Sequence, residues 1–141
     1  EPKSDYILTG GGKKESFIRM WNIHNGKRVE DIYVASQITN LFWSEDGRQL
    51  LACHGFRENH QAEPKMNLWN YENDSFSYAG GFWKGNFRIV GSALSHDKEH
   101  VAALGDDTFT VWKVFGNNCS MSSKSSRRSS LLTTDDMHIH Q

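Results

Sequence analysis

No apolar run in the 141-residue chain approaches the roughly 18 residues of a membrane-spanning helix. No basic, apolar and small-residue succession of a secretory signal opens it. Helix-period apolar stripes are missing too, which leaves strands as the source of regular structure. Cysteine is scarce: Cys53 stands in an apolar stretch and Cys119 in a polar tail. That usage fits a reducing compartment rather than a disulfide scaffold. A net charge of −1 gives no general attraction to nucleic acid or to an acidic membrane, so neither is expected as a partner. Apolar content is 37% and mean hydropathy −0.66, low for a compact core. Five tryptophans and eight phenylalanines compensate, because aromatic rings bury large areas per residue.

What the chain does have is a repeated hairpin. In the stretch 101–114, Val101-Ala102-Ala103-Leu104 reads as a buried strand. Gly105-Asp106-Asp107-Thr108 is a tight reversal, with Gly and Asp supplying turn conformations. Phe109, Val111 and Lys113 then alternate with Thr110, Trp112 and Val114, the period-2 mark of a returning strand. In this pattern the Asp106 carboxylate is expected to cap the turn, with Thr108 beside it. The hairpin occurs twice upstream, Ile7–Gly10 leading to Trp21 and Leu50–Gly55 leading to Trp69. Trp21, Trp69 and Trp112 are spaced 48 and 43 residues apart. A four-stranded unit recurring every 40–45 residues or so is a WD-repeat propeller blade. The fold class is therefore all-β, a β-propeller, with the three tryptophans as blade anchors.

Taken in order, residues 1–35 are a partial blade of three strands, the last at about 28–34, whose inner strand is not seen. Glu1 without a preceding Met suggests a piece of a longer protein. Gly10-Gly11-Gly12 followed by Lys13-Lys14 superficially resembles a phosphate loop, but a strand follows where that motif requires a helix. Residues 36–83 are a second blade, opening on an alternating strand at 37–43, turning at Ser44-Glu45-Asp46-Gly47, and carrying a long polar loop at about 56–65. Residues 84–115 are the last blade, with its inner strand at 87–94 and no fourth strand visible. Residues 116–141 form a Ser-rich tail expected to be disordered alone. Its Arg127-Arg128-Ser129-Ser130 suits either a solvated linker or a basic-directed phosphorylation site. Three blades cannot close a ring, so open strand edges are expected.

Catalytic and metal constellations are wanting. The histidines, among them His54, His60, His96, His100, His138 and His140, show no paired ligand spacing, so no metal or other cofactor is expected. Cys53 and His54 adjoin in a strand, where successive side chains point to opposite faces. An enzyme is not expected. The sequons at Asn73 and Asn118 are read as chance, given the absence of a secretory signal.

Beyond the generic repeat, Gly10-Gly11-Gly12 with Ile18-Arg19-x-Trp21-Asn22, then Ser36-Gln37, then His54-Gly55-Phe56-x-x-Asn59 resembles the Fizzy and Fizzy-related family. Lys84-Gly85, Arg88-Ile89-Val90 and Trp112-Lys113-Val114-Phe115 resemble its final blade, so the likeness covers about residues 6–115. Members are substrate-recruiting activators of the anaphase-promoting complex, a ubiquitin ligase. The resemblance implies the last three blades of a seven-bladed propeller and a non-enzymatic adaptor acting in mitotic and meiotic cell cycles. Implied partners are ligase subunits, degron-bearing substrates such as cyclins, and checkpoint or pseudosubstrate inhibitors. The implied location is nucleus and cytoplasm. By position, Gln37 and Arg88 match residues lining the family's Lys-Glu-Asn pocket, Lys13 lies near it, and Asp107 matches the acid that receives the destruction-box arginine. Departures mark a diverged member. Lys13-Lys14-Glu15-Ser16 replaces Thr-x-Asp-Arg, Ala35 and Asn86 replace blade-opening histidines, and His60–Lys65 is an insertion. The family's terminal Ile-Arg is absent, Ile139-His140-Gln141 stopping three residues short of it in the pattern of some members. The alternative is a WD-repeat scaffold that assembles partners without reading degrons.

Overall fold

A computed structural model of the chain describes residues 5–56, 64–84, 88–106, 108–116 and 123–127, the last by backbone alone. Three antiparallel sheets follow one another along the sequence. The first holds β1 (Tyr6–Gly10), β2 (Phe17–Asn22) and β3 (Arg28–Tyr33) in that order. The second holds β4 (Ile38–Trp43), β5 (Gln49–His54), β6 (Pro64–Glu72) and β7 (Ser75–Lys84). The third holds β8 (Gly91–Leu94), β9 (His100–Leu104), β10 (Thr108–Lys113) and β11 (Ser123–Arg127). These are the three blades, each a meander of successive hairpins.

The register is common to all three. Trp21 stands opposite Ile7, Trp69 opposite Leu50 and Trp112 opposite Val101. Two hairpin turns are built alike. In the first, the Ser44 hydroxyl bonds the Asp46 carboxylate at 2.6 Å, and the Gln49 N–H donates back to the Ser44 hydroxyl at 2.9 Å. In the second, Ser95 bonds Asp97, and the His100 N–H donates to the Ser95 hydroxyl at 3.0 Å. The Ser44 hydroxyl, then the Arg48 N–H, hold the Asp46 carboxyl below its usual range. Gly47 takes the left-handed conformation with φ 67°, and Lys98 takes the matching position with φ 54°.

Two apolar layers lie between the blades. Ile18, Ile32 and Val34 of the first meet Leu50 and Ala52 of the second, with Trp43, Trp69 and Phe76 packed against them. Leu51, Cys53, Met66, Leu68 and Phe82 meet Ile89, Val101, Ala103, Trp112 and Val114. Strand β5 supplies both layers. Its successive residues Leu50 and Leu51 are each 0% exposed because alternate side chains point to opposite faces. Burying one such leucine stabilises by about 1.5–3 kcal/mol.

Three expectations need correction. The tail was expected to be disordered, yet Ser123–Arg127 pairs with β10 from Trp112↔Ser123 to Thr108↔Arg127. The outer edge of β10 offers unpaired backbone groups, which a serine-rich segment can meet without apolar side chains. The third blade's inner strand begins at Gly91 rather than at 87. Here the Ile89 N–H is given to the His54 carbonyl of the second blade, at 3.3 Å, instead of to its own sheet. The strand carrying Trp69 starts at Pro64, so most of the expected loop, 57–63, lies outside the described residues. Residues 128–141 also lie outside them.

The first two blades approach each other closely at Gly10. A Cβ there would stand 2.5 Å from Ile38 Cγ2 and 2.6 Å from Ile38 Cβ. A Cβ on Gly12 would meet nothing within 4 Å. Gly10→Ala is expected to lower stability by about 1–3 kcal/mol through overpacking. Gly12→Ala should stay within about 0.5 kcal/mol. Chemical denaturation of the intact protein reads both, and equal effects would contradict this blade contact.

Candidate functional site

Of the sequence-derived site residues, Lys13, Gln37, Arg88 and Asp106 lie near where β1, β5 and β9 end, at one edge of the blades. After β1 the Gly11 N–H bonds the Phe17 carbonyl at 2.7 Å, and the Gly11 carbonyl accepts the Ile38 N–H of the next blade at 3.2 Å. His54, the last residue of β5, repeats this with Ile89. Both carbonyls sit at matching places in their blades, so each ties its blade to the next one.

Between these ties runs His54-Gly55-Phe56. The Gly55 N–H donates to the Gln37 carbonyl and the Gln37 N–H to the Phe56 carbonyl, both at 2.9 Å. A Cβ on Gly55 would come within 2.8 Å of Thr39 Cγ2 and 3.2 Å of Gln37 Oε1, so only glycine lets the Gln37 amide lie this close. The His54 ring is 1% exposed, and its Nδ1 stands 2.6 Å from the Ser36 hydroxyl. Ala35, at φ 51°, turns the chain into the second blade and delivers Ser36 to that ring. Ala35 replaces an expected histidine, but an internal hydrogen bond is present nonetheless, with His54 supplying the imidazole from another strand. Sequence reasoning missed this pair, because Ser36 and His54 are 18 residues apart and no local pattern links them.

Above this loop the Lys13 Nζ lies 3.9 Å from the Phe56 ring centroid, a cation–π contact. On the far side of His54-Gly55, Arg88 precedes β8 with its side chain 62% exposed, and its Nε is 3.6 Å from Asp106 Oδ1. Lys13 and Gln37 thus share the Phe56 loop, while Arg88 belongs to the third blade directly beside it. The Asp106 carboxylate faces Arg88, and in the same turn the Gly105 N–H donates to the Thr108 carbonyl at 2.7 Å. The Thr108 hydroxyl is buried. Asp107 lies outside the described residues. Of the tryptophans, Trp112 is buried and stacks edgewise on Phe82, Trp69 does so on Tyr78, and the Trp21 Nε1 donates to the Thr9 hydroxyl at 2.9 Å.

The arrangement presents two cations, one primary amide and one partly open aromatic ring on a rigid backbone. It can bind a carboxylate, an amide and a cation along an extended peptide. Nucleophilic chemistry does not suit it: burial pushes the nearby Cys53 thiol up to about 11. A cleft of about 1010 Å³ lies at the other end of the strands, lined by Tyr6, Leu8, Trp43 and Tyr71 with Asp46 and Glu72. It borders β1, which is paired along one side only among the described residues. A cleft beside an open strand edge suits another strand better than it suits side-chain chemistry.

No family model matches the chain. It is 34% identical over 115 residues to Cell division cycle 20.1, cofactor of APC complex, of Arabidopsis thaliana, covering 81% of this chain and 24% of that protein. Arabidopsis Protein FIZZY-RELATED 3 is 32% identical over 114 residues, 80% of this chain and 22% of its own. The WD repeat-containing protein slp1 of Schizosaccharomyces pombe is 29% identical over 114 residues, again 80% and 22%. The chain thus spans about a quarter of the length of the curated relatives it matches. Among solved structures, a chain of the mitotic checkpoint complex superposes with TM-score 0.70 at 28% identity, covering 81% of this chain and 35% of its own. The β-propeller domain of Myceliophteria thermophila Cps50 (Swd1) does so at 0.60 with 19% identity, covering 77% and 34%, which supports the fold alone.

Ser36→Ala would leave the Nδ1 of a buried imidazole without its hydroxyl partner. It should cost about 1–3 kcal/mol of unfolding free energy. A loss below about 0.5 kcal/mol in denaturant titration would mean that the pair does not support the loop.

Proposed function

Because the chain belongs, over the four-fifths of its residues that match, to the Cdc20 and Fizzy-related family of WD-repeat proteins, we propose that it serves as a substrate-recognition adaptor of the anaphase-promoting complex. Its role is to hold a short degron of the Lys-Glu-Asn type against the blade edge, while the ligase does the covalent chemistry. Relatives named as cofactors of that complex support this reading, as does the structural likeness to a checkpoint-complex chain. Ligase subunits, degron-bearing substrates and checkpoint inhibitors are the partners proposed, and the adaptor itself is not an enzyme.

The observation that carries the reading is the placing of an exposed Arg88 beside the loop that fixes Gln37. A guanidinium receives a peptide carboxylate in a charge-assisted hydrogen bond, and the neighbouring amide pairs with a peptide amide. Such a bond contributes on the order of 1.5–3 kcal/mol, toward the lower end where water reaches it. Replacing Arg88 by glutamate removes the bond and adds repulsion. For the intact protein, Arg88→Glu should weaken binding of a Lys-Glu-Asn peptide about tenfold or more, with the melting temperature nearly unchanged. Calorimetry or fluorescence anisotropy measures the affinity. Equal affinities in wild type and variant would remove Arg88 from the site and favour a scaffold without degron recognition.

A further inference from the structure

We propose that this peptide site is occupied from within, by Lys13 on the Phe56 ring and Asp106 on the Arg88 guanidinium, so that a ligand binds by displacing both side chains. The proposal rests on the reading of this edge as a peptide site and concerns how that site is regulated.

The two contacts have the chemistry of the ligand itself. A lysine–glutamate segment lying across the loop would put an ammonium on an aromatic face and a carboxylate on a guanidinium. The protein already makes both contacts, at 3.9 Å and 3.6 Å. They flank the same backbone: the Phe56 carbonyl is held by the Gln37 N–H, and the His54 carbonyl by the Ile89 N–H next to Arg88. Both internal groups come from turns between neighbouring strands of a blade, Lys13 between β1 and β2 and Asp106 between β9 and β10. Neither turn supplies the groups proposed to bind the ligand, so either side chain can leave without dismantling the site.

Both contacts are also open enough to be displaced. Arg88 and Asp106 side chains are 62% and 53% exposed, and Phe56 is 38% exposed. Exposed ion pairs and exposed cation–π contacts are weak, so each imposes a modest penalty on ligand binding. Lys13 adds repulsion toward a ligand cation that would share the ring. The site therefore admits a degron only when its own contacts outweigh the two it replaces, which raises its threshold without altering its shape.

The test matches variants to peptides, using the intact protein and fluorescence anisotropy. Asp106→Asn should tighten binding of a Lys-Glu-Asn peptide about two- to fivefold, and of a Lys-Gln-Asn peptide not at all. Lys13→Gln should give a similar gain, about two- to fivefold, for Lys-Glu-Asn but none for Gln-Glu-Asn. Introducing Phe56→Leu alongside Lys13→Gln should abolish most of the Lys13 gain, since the ring is what the two cations share. Melting temperatures of the single variants check that the fold is kept. Absent gains, or gains equal across peptides, would overturn internal occupancy, provided that Arg88→Glu still weakens the Lys-Glu-Asn peptide. If Arg88→Glu has no effect either, the peptide-site reading itself fails.

Discussion

The burial of β5 on both of its faces is the constraint from which the rest of the structure follows. Leu50, Leu51, Ala52 and Cys53 are all 0% exposed, although they point alternately to opposite sides. Leu50 and Ala52 complete the layer toward the first blade, Leu51 and Cys53 the layer toward the third. A one-residue slip of this strand would exchange the two sets and put each against the wrong neighbour. The flanking strands hold it in place, β4 through Leu41↔Ala52 and β6 through Ala52↔Asn67.

A strand fixed so firmly delivers its last residue to a defined place. That residue is His54, whose ring meets Ser36 and whose carbonyl meets Ile89. The Gly55-Phe56 step that follows has little freedom, with Gln37 bonded to both of its residues. The proposed binding site lies where this loop meets weakly held side chains, Lys13 over a ring and Arg88 beside an acid. Rigid backbone with displaceable charges suits a binding site, since the geometry is set in advance and only the polar partners exchange. The opposite end of the blades differs. There the turns bond their own Ser and Asp side chains, and the cleft is bounded by aromatic rings and an open strand edge.

Most of the fold was legible because the hairpins announce themselves. Alternation ending on Trp21, Trp69 and Trp112, with Ser-x-Asp turns at 44–46 and 95–97, depends on neighbours in sequence, which a single chain displays. Strand β11 was not legible, since an outer strand pairs through backbone and its serines carry no pattern. The start of β8 was misjudged for a related reason: the Ile89 N–H leaves its own sheet for another blade, and no local signal marks that. Gln37, Arg88 and Lys13 could be named through family likeness, but the partners that define their states could not. Asp106 facing Arg88, Phe56 beneath Lys13 and Ser36 on His54 are contacts across turns or strands, visible only once register is known.

The central claim is that a peptide lies along the edge formed by Ser36–Ile38, His54–Phe56 and Arg88–Val90. The most direct measurement is photo-crosslinking. A Lys-Glu-Asn peptide with a photoreactive group next to its glutamate is bound to the intact protein, irradiated, and the modified residues are located by mass spectrometry. The account predicts label on the His54–Phe56 loop and on the segment around Arg88, reduced by excess unlabelled peptide. Label concentrated on Trp43 and Tyr71, in the cleft at the other end of the strands, would contradict it.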